Sequence, residues 1–155
     1  MTPFDSLITQ FAKSTGLPLE VAADNSCTLE TGGITITLQY RPEHDDIAIF
    51  SPVAIQDGAT GFPAATLKRA LELSFNGTGT QGGFLGLFED ALILTAFIKL
   101  NGLDADILAV RILSFTDTAQ GIALELADVS AHSNVEYTDD GNSDFSTEGL
   151  IRILQ

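Results

Sequence analysis

The sequence predicts an α+β domain: helix, three strands, helix, two strands, helix, with an antiparallel sheet packed with helices. Three observations carry this. Gly82 to Phe115 is the densest apolar stretch, holding two strand-length runs, Phe84 to Phe88 and Leu92 to Leu100, split by Glu89-Asp90. Ile34 to Tyr40 alternates apolar and polar residues, the mark of a strand with one buried face. Phe4, Leu7, Ile8 and Phe11 recur at i, i+3, i+4 and i+7, one face of a helix.

That first helix spans about Pro3 to Ser14. Thr2 caps it, Pro3 suits its first turn, and Gly16 with Pro18 stops it. Its apolar face reads either as ordinary core or as part of an open groove for a partner peptide. Three short strands follow. Ser26 to Glu30 carries Cys27 and Leu29 on one face, Thr31-Gly32-Gly33 turns into Ile34 to Tyr40, and Arg41 to Asp46 turns into a third strand ended by Pro52. Spacings this short favour an antiparallel meander. Ala54 to Phe62 is a loop. Pro63 opens a second helix to Phe75, with Leu67, Ala70, Leu71 and Phe75 on one face and a stop at Asn76-Gly77. The two runs at Phe84 and Leu92 read as buried strands joined by a tight reversal. Asp104 caps a final helix to about Ala127, with Gly121 a point of interruption and Ile107, Leu108, Ile112, Phe115, Ala119, Ile122 and Leu126 as its apolar stripe. The division expected is a domain over 1–129 and an acidic, mobile tail over 130–155. The apolar end of that tail, Leu150, Ile151, Ile153 and Leu154, is expected to dock on a sheet edge or groove.

Composition narrows the function. Seven basic residues against 21 acidic ones give a net charge of −14. Such a field repels phosphate backbones and anionic lipid, which argues against nucleic-acid and membrane-surface roles. One cysteine allows no intramolecular disulfide. The first residues lack the basic and apolar regions of a secretory signal, and the location expected is cytoplasmic.

The candidate chemistry is thin. Gly77-Thr78-Gly79-Thr80-Gln81-Gly82 fits GxGxxG, but it follows a helix and precedes a strand, the reverse of a dinucleotide site. The acidic loop at Asp139 to Asp144 has the wrong residues at two ligand positions of a calcium loop. His44-Asp45-Asp46 has too few ligands for a metal and reads as a polar turn. Cys27 reads as a buried, inert thiol. No catalytic residues, metal or cofactor are assigned, and the chain is not expected to be an enzyme.

Particular residues then point to a family. Phe4 to Phe11 is followed by Gly16-Leu17, Asp24, Cys27 and Leu29. Later come Leu67-x-x-Ala70-Leu71-x-x-Ser74-Phe75-Asn76, Gly82-Gly83-Phe84-Leu85-Gly86-Leu87, and Leu108-x-x-x-Ile112-x-x-Phe115-x-x-x-Ala119. Over about Thr2 to Leu126 the chain resembles the class I type III secretion chaperones, which include the Tir chaperone. The helix–Asn76–glycine–FLGL junction is the most specific piece. The resemblance implies a dimer-forming, ATP-independent protein that binds the extended N-terminal segment of a secreted effector and keeps it soluble and secretion-competent. It implies a homodimer interface at Leu67, Leu71, Phe75, Phe84 and Leu85. It implies a client site at Phe4, Leu7, Ile8, Phe11, Leu29 and Ile36. A non-catalytic dimeric interaction or regulatory module for a folded partner is the alternative on the same fold. A small-molecule binder using the glycine-rich link is a third reading.

Overall fold

A computed structural model describes residues 1–56 and 58–136, apart from the side chains of 59 and 134–136. Helix α1 (Pro3–Thr15) begins with a full capping box. Thr2 Oγ1 accepts from the Asp5 amide at 3.1 Å, and Asp5 accepts from the Thr2 amide at 2.6 Å. Gly16, at φ 73°, ends the helix by donating to Ala12. Strands β1 (Ser26–Thr31), β2 (Ile34–Arg41) and β3 (Asp46–Ile55) follow, then helix α2 (Ala64–Ser74). The hairpin is β4 (Phe84–Phe88) with β5 (Ala91–Lys99), and α3 (Ala105–Glu136) closes the described chain.

The five strands form one antiparallel sheet in the order β1-β2-β3-β5-β4. Cys27 pairs Leu38, Leu38 pairs Ile49, and Ile47 pairs Ile98, so these side chains share one face. On that face α3 lies along the sheet, with α1 and α2 against it. Its buried stripe of Leu108, Ile112, Phe115, Ala119, Ile122 and Leu126 fills the core with α1 and the strands. Stacking of Phe4 on Tyr40, with ring centroids 5.6 Å apart, fixes α1 over β2. By length and composition alone α3 is apolar enough to cross a membrane, with a mean hydropathy of 1.3 in its most apolar window. A third of that window is buried; the core-facing stripe packs on the sheet, while Ile107, Val110, Leu113 and Leu124 add exposed apolar surface.

Four expectations need correction. Pro52 does not end β3. The strand continues to Ile55 through a bulge between Pro52 and Ala54, and beyond Phe50 it has no pairing partner in β2. Edges and bulges are where a strand tolerates proline. Strand β4 is an edge strand with largely exposed side chains, because among the described residues it pairs with β5 alone. Ile107 is nearly half exposed and lies outside the buried stripe. Finally, α3 is continuous through Gly121 and reaches Glu136, past the helix end expected at about Ala127. Thr66 and Ser130 hydroxyls bond at 2.7 Å and tie that later turn to α2. The calcium-like loop and the apolar end at Leu150 to Leu154 lie outside the described residues.

Candidate functional site

The residues expected to take a client do not form an open groove. Phe4, Leu7, Ile8, Phe11, Leu29 and Ile36 are 0 to 6% exposed and sit in the core. Their spacing puts them on the inner faces of α1, β1 and β2, where they hold the helix on the sheet. Among the described residues β1 pairs with β2 alone, which leaves its outer edge unpaired in this region. Half-buried Leu19, Val21, Ile34 and Tyr40 pack around this part of the core.

The residues expected at a dimer interface behave in the opposite way. Leu71 and Phe75 on α2 are 73% and 72% exposed, Phe84 is 43% exposed, and Leu67 and Leu85 are half-buried. Helix α2 uses Thr66, Ala70 and Leu73 for its buried face, so Leu71 and Phe75 are left exposed while Leu67 packs half-buried against the core. Arg69 anchors the helix in that rotation. Its guanidinium reaches Glu125 on α3 at 2.6 Å and Glu72 at 3.1 Å. The Ser74 hydroxyl accepts from the Leu85 amide at 2.9 Å and joins the end of α2 to β4.

The glycine-rich link makes that junction possible. Asn76 and Gly77 both adopt left-handed φ, which turns the chain sharply off α2. A Cβ on Gly79 would lie 2.6 Å from the Leu73 side chain, and one on Gly83 would lie 2.6 Å from the Thr95 carbonyl oxygen. The Thr80 hydroxyl closes the loop by donating to the Gly83 carbonyl at 2.5 Å. These glycines serve close backbone packing, which accounts for a GxGxxG match without a phosphate.

Sequence reasoning missed a third surface. By the pairing register, Phe84, Phe88, Ile93, Phe97 and Phe50 project from the sheet face opposite the helices. Phe88 is 65% and Phe97 45% exposed. Phe84 and Phe97 meet across β4 and β5 at 5.7 Å, and the Arg41 guanidinium sits 4.0 Å over the Phe97 ring. Arg41 is held there by two 2.7 Å hydrogen bonds to Asp46, and these bonds keep the Asp46 carboxyl below its usual pKa against the opposing effect of burial. The alternation of β5 carried this signal, since Ile93, Thr95 and Phe97 fall on the face opposite Leu92 and Leu94.

No group of His, Cys, Asp and Glu among the described residues is arranged to hold a metal. His44 lies in the β2–β3 turn, where its carbonyl accepts from Lys99 at 3.3 Å. Cys27 is buried, and desolvation pushes its thiol pKa up, away from nucleophilic reactivity.

The comparison that decides the family is the match of residues 6–123 to the Tir chaperone protein (CesT) family. The chain belongs to the CesT family. A sequence search of curated proteins returns no match. Solved structures share the fold. A chain of the ExsC–ExsE complex superposes with TM-score 0.66 at 19% identity, covering 79% of this chain and 92% of that one. A chain of the HopA1–SchA chaperone–effector complex gives TM-score 0.63 at 16% identity, covering 78% and 93%. YbjN from E. coli gives 0.57 at 14% identity, covering 79% and 90%. At such identities these likenesses establish fold alone. The CesT match also agrees with the sequence resemblance, including the junction from α2 through the glycines to β4.

Proposed function

We propose that this CesT-family chain is a non-enzymatic, cytoplasmic chaperone of type III secretion, which binds the N-terminal segment of a secreted effector in extended form. The single observation that carries the reading is the family match over 6–123, a span that includes every described strand and both interaction surfaces. Proteins of the same fold include a chain of a chaperone–effector complex, a type III secretion chaperone in complex with a protein fragment, and a chain of a heterodimeric complex from a type III secretion system, which support it.

The physics of the surfaces fits the work. An extended client adds main-chain hydrogen bonds along a free sheet edge and sets alternate side chains into apolar depressions. The free edge of β1 offers the first, and half-buried Leu19, Val21, Ile34 and Tyr40 offer apolar neighbours beside a core they do not breach. In this reading Phe4, Leu7, Ile8, Phe11, Leu29 and Ile36 support the client site from beneath. Each newly buried Leu or Phe on the client contributes about 1.5–3 kcal/mol, so several anchors offset the cost of ordering the segment. The net charge of −14 keeps the complex soluble and steers basic segments toward it.

The active species is a homodimer formed through α2 and β4. Strand β4 is an uncharged edge, FLGLF, with apolar groups on both faces and exposed Leu71 and Phe75 beside it. Left bare, such an edge pairs with other chains; a second copy covers it in a closed, symmetric contact.

Affinity capture of the tagged chain from its own cells tests the function. The expected result is one secreted protein retained through its first ~50–100 residues, held unfolded. Retention of folded partners alone would favour the regulatory module instead.

A further inference from the structure

Strand β4 reads the same from either end: Phe84-Leu85-Gly86-Leu87-Phe88, symmetric about Gly86. Among the described residues it pairs with β5 alone, and none of its five residues is buried. The Leu85 amide donates to the Ser74 hydroxyl rather than to β5. By the alternation of an antiparallel ladder, Leu85 and Leu87 therefore turn their backbone polar groups to the open edge, and Phe84, Gly86 and Phe88 turn theirs to β5. Gly86 itself is unexplained within one chain. Its φ is not left-handed, and a Cβ there would meet nothing within 4 Å. A strand glycine that its own protomer does not require marks the close approach of another backbone.

Two strands related by a two-fold axis pair antiparallel, and only the residue on the axis lies opposite itself. We infer that two copies of this chain join through β4 with Gly86 on that axis, so that the two five-stranded sheets become one. The inference rests on the homodimer proposed above and adds its register. With Gly86 on the axis, Phe84 lies opposite the partner's Phe88 on the aromatic face, and Leu85 opposite the partner's Leu87 on the face that carries α2. The acidic turn Glu89-Asp90 then lies opposite the partner's Gly83 and Gly82, and the two acidic turns stand at opposite ends of the contact. Moving the axis to Leu87 would set Leu85 against Glu89 and Phe84 against Asp90. Moving it to Leu85 would leave Leu87 and Phe88 facing glycines. The area is adequate. Leu71, Phe75, Phe84, Leu87 and Phe88 are 43 to 73% exposed, together about three whole side chains, or roughly 450–750 Å² per protomer. With the edge backbone added, that approaches the ~800 Å² per partner of a stable interface.

Cysteine scanning of the full chain tests the register. Gly86→Cys puts two thiols on the axis, with Cα atoms about 4.5 Å apart, inside the disulfide range. Under a mild oxidant it should run at twice its mass on a non-reducing gel. Leu85→Cys and Leu87→Cys should stay at single mass, because each would lie more than about 7 Å from its own copy. Phe84→Cys and Phe88→Cys should each stay single, and the double variant carrying both should link. The wild type, whose one cysteine is buried, is the unlinked control. Linkage at Leu85→Cys or Leu87→Cys in place of Gly86→Cys overturns the inference. So does failure of both Gly86→Cys and the double variant to link. Sedimentation of the wild type separates the two failures: a dimer that does not link here loses only this register, and a monomer loses the homodimer with it.

Discussion

Replacing Leu71 and Phe75 together by glutamate should split the dimer and spare the fold. Both side chains are about three-quarters exposed in the single chain, 73% and 72%, so they contribute little to the protomer's own core. Complete burial of a Leu or Phe is worth ~1.5–3 kcal/mol, so covering these two should contribute about 2–4 kcal/mol per protomer, doubled by two-fold symmetry. Placing two carboxylates in the same contact removes that gain and adds charge desolvation, which is more than enough to dissociate a micromolar dimer. The loss of protomer stability should stay within about 0.5 kcal/mol, as for other exposed positions. Sedimentation velocity with a parallel urea titration measures both. The wild type should sediment as a dimer and the double variant as a monomer with an unchanged urea midpoint. A double variant that remains dimeric, or a wild type that is monomeric at high micromolar concentration, would refute the reasoning.

Three further outcomes are expected. Phe4→Ala removes a fully buried ring stacked on Tyr40 and should cost about 3–5 kcal/mol in urea unfolding; an unchanged midpoint with lost client binding would return that residue to the client surface. Gly83→Ala places a Cβ 2.6 Å from the Thr95 carbonyl oxygen and should cost about 1–3 kcal/mol in the same assay, without altering affinity for any nucleotide. Asp46 has its pKa lowered mainly by hydrogen bonds from Arg41. Its contribution to stability is therefore complete above the unfolded value near ~3.9 and lost as pH falls through the folded value. Asp46→Asn should thus lower the neutral-pH midpoint and flatten the acid limb of a stability–pH profile, whereas parallel wild-type and variant profiles would exclude the pairing.

Local chemistry made most of the fold legible. Thr2, Pro3 and Gly16 bracket α1, and the alternation from Ile34 to Tyr40 fixes which face of β2 is buried. The misreadings share a cause: hydrophobic pattern tells that a face is buried, not by what. Leu71 and Phe75 read as part of an apolar face with Ala70, yet α2 buries Ala70 against its own chain and turns the other two outward. The run Phe84 to Phe88 reads as a buried strand because its apolar density suits either a core or an interface, and only sheet order reveals it as an edge. Conversely, Phe4 and Ile8 read as core or as part of a groove until α3 is seen to pack against α1. Gly121 costs a helix about 1 kcal/mol in isolation. Ala119 and Ile122, buried on either side of it, outweigh that cost.

A chaperone of this kind should hold a secreted effector's N-terminal segment extended rather than folded. Hydrogen exchange of the captured complex tests it most directly. New protection is expected on amides of the client's bound segment and along the outer edge of β1, with the rest of that client region exchanging as unfolded chain. Uniform, cooperative protection across the client, with no change at β1, would mean that a folded partner is bound and would contradict it.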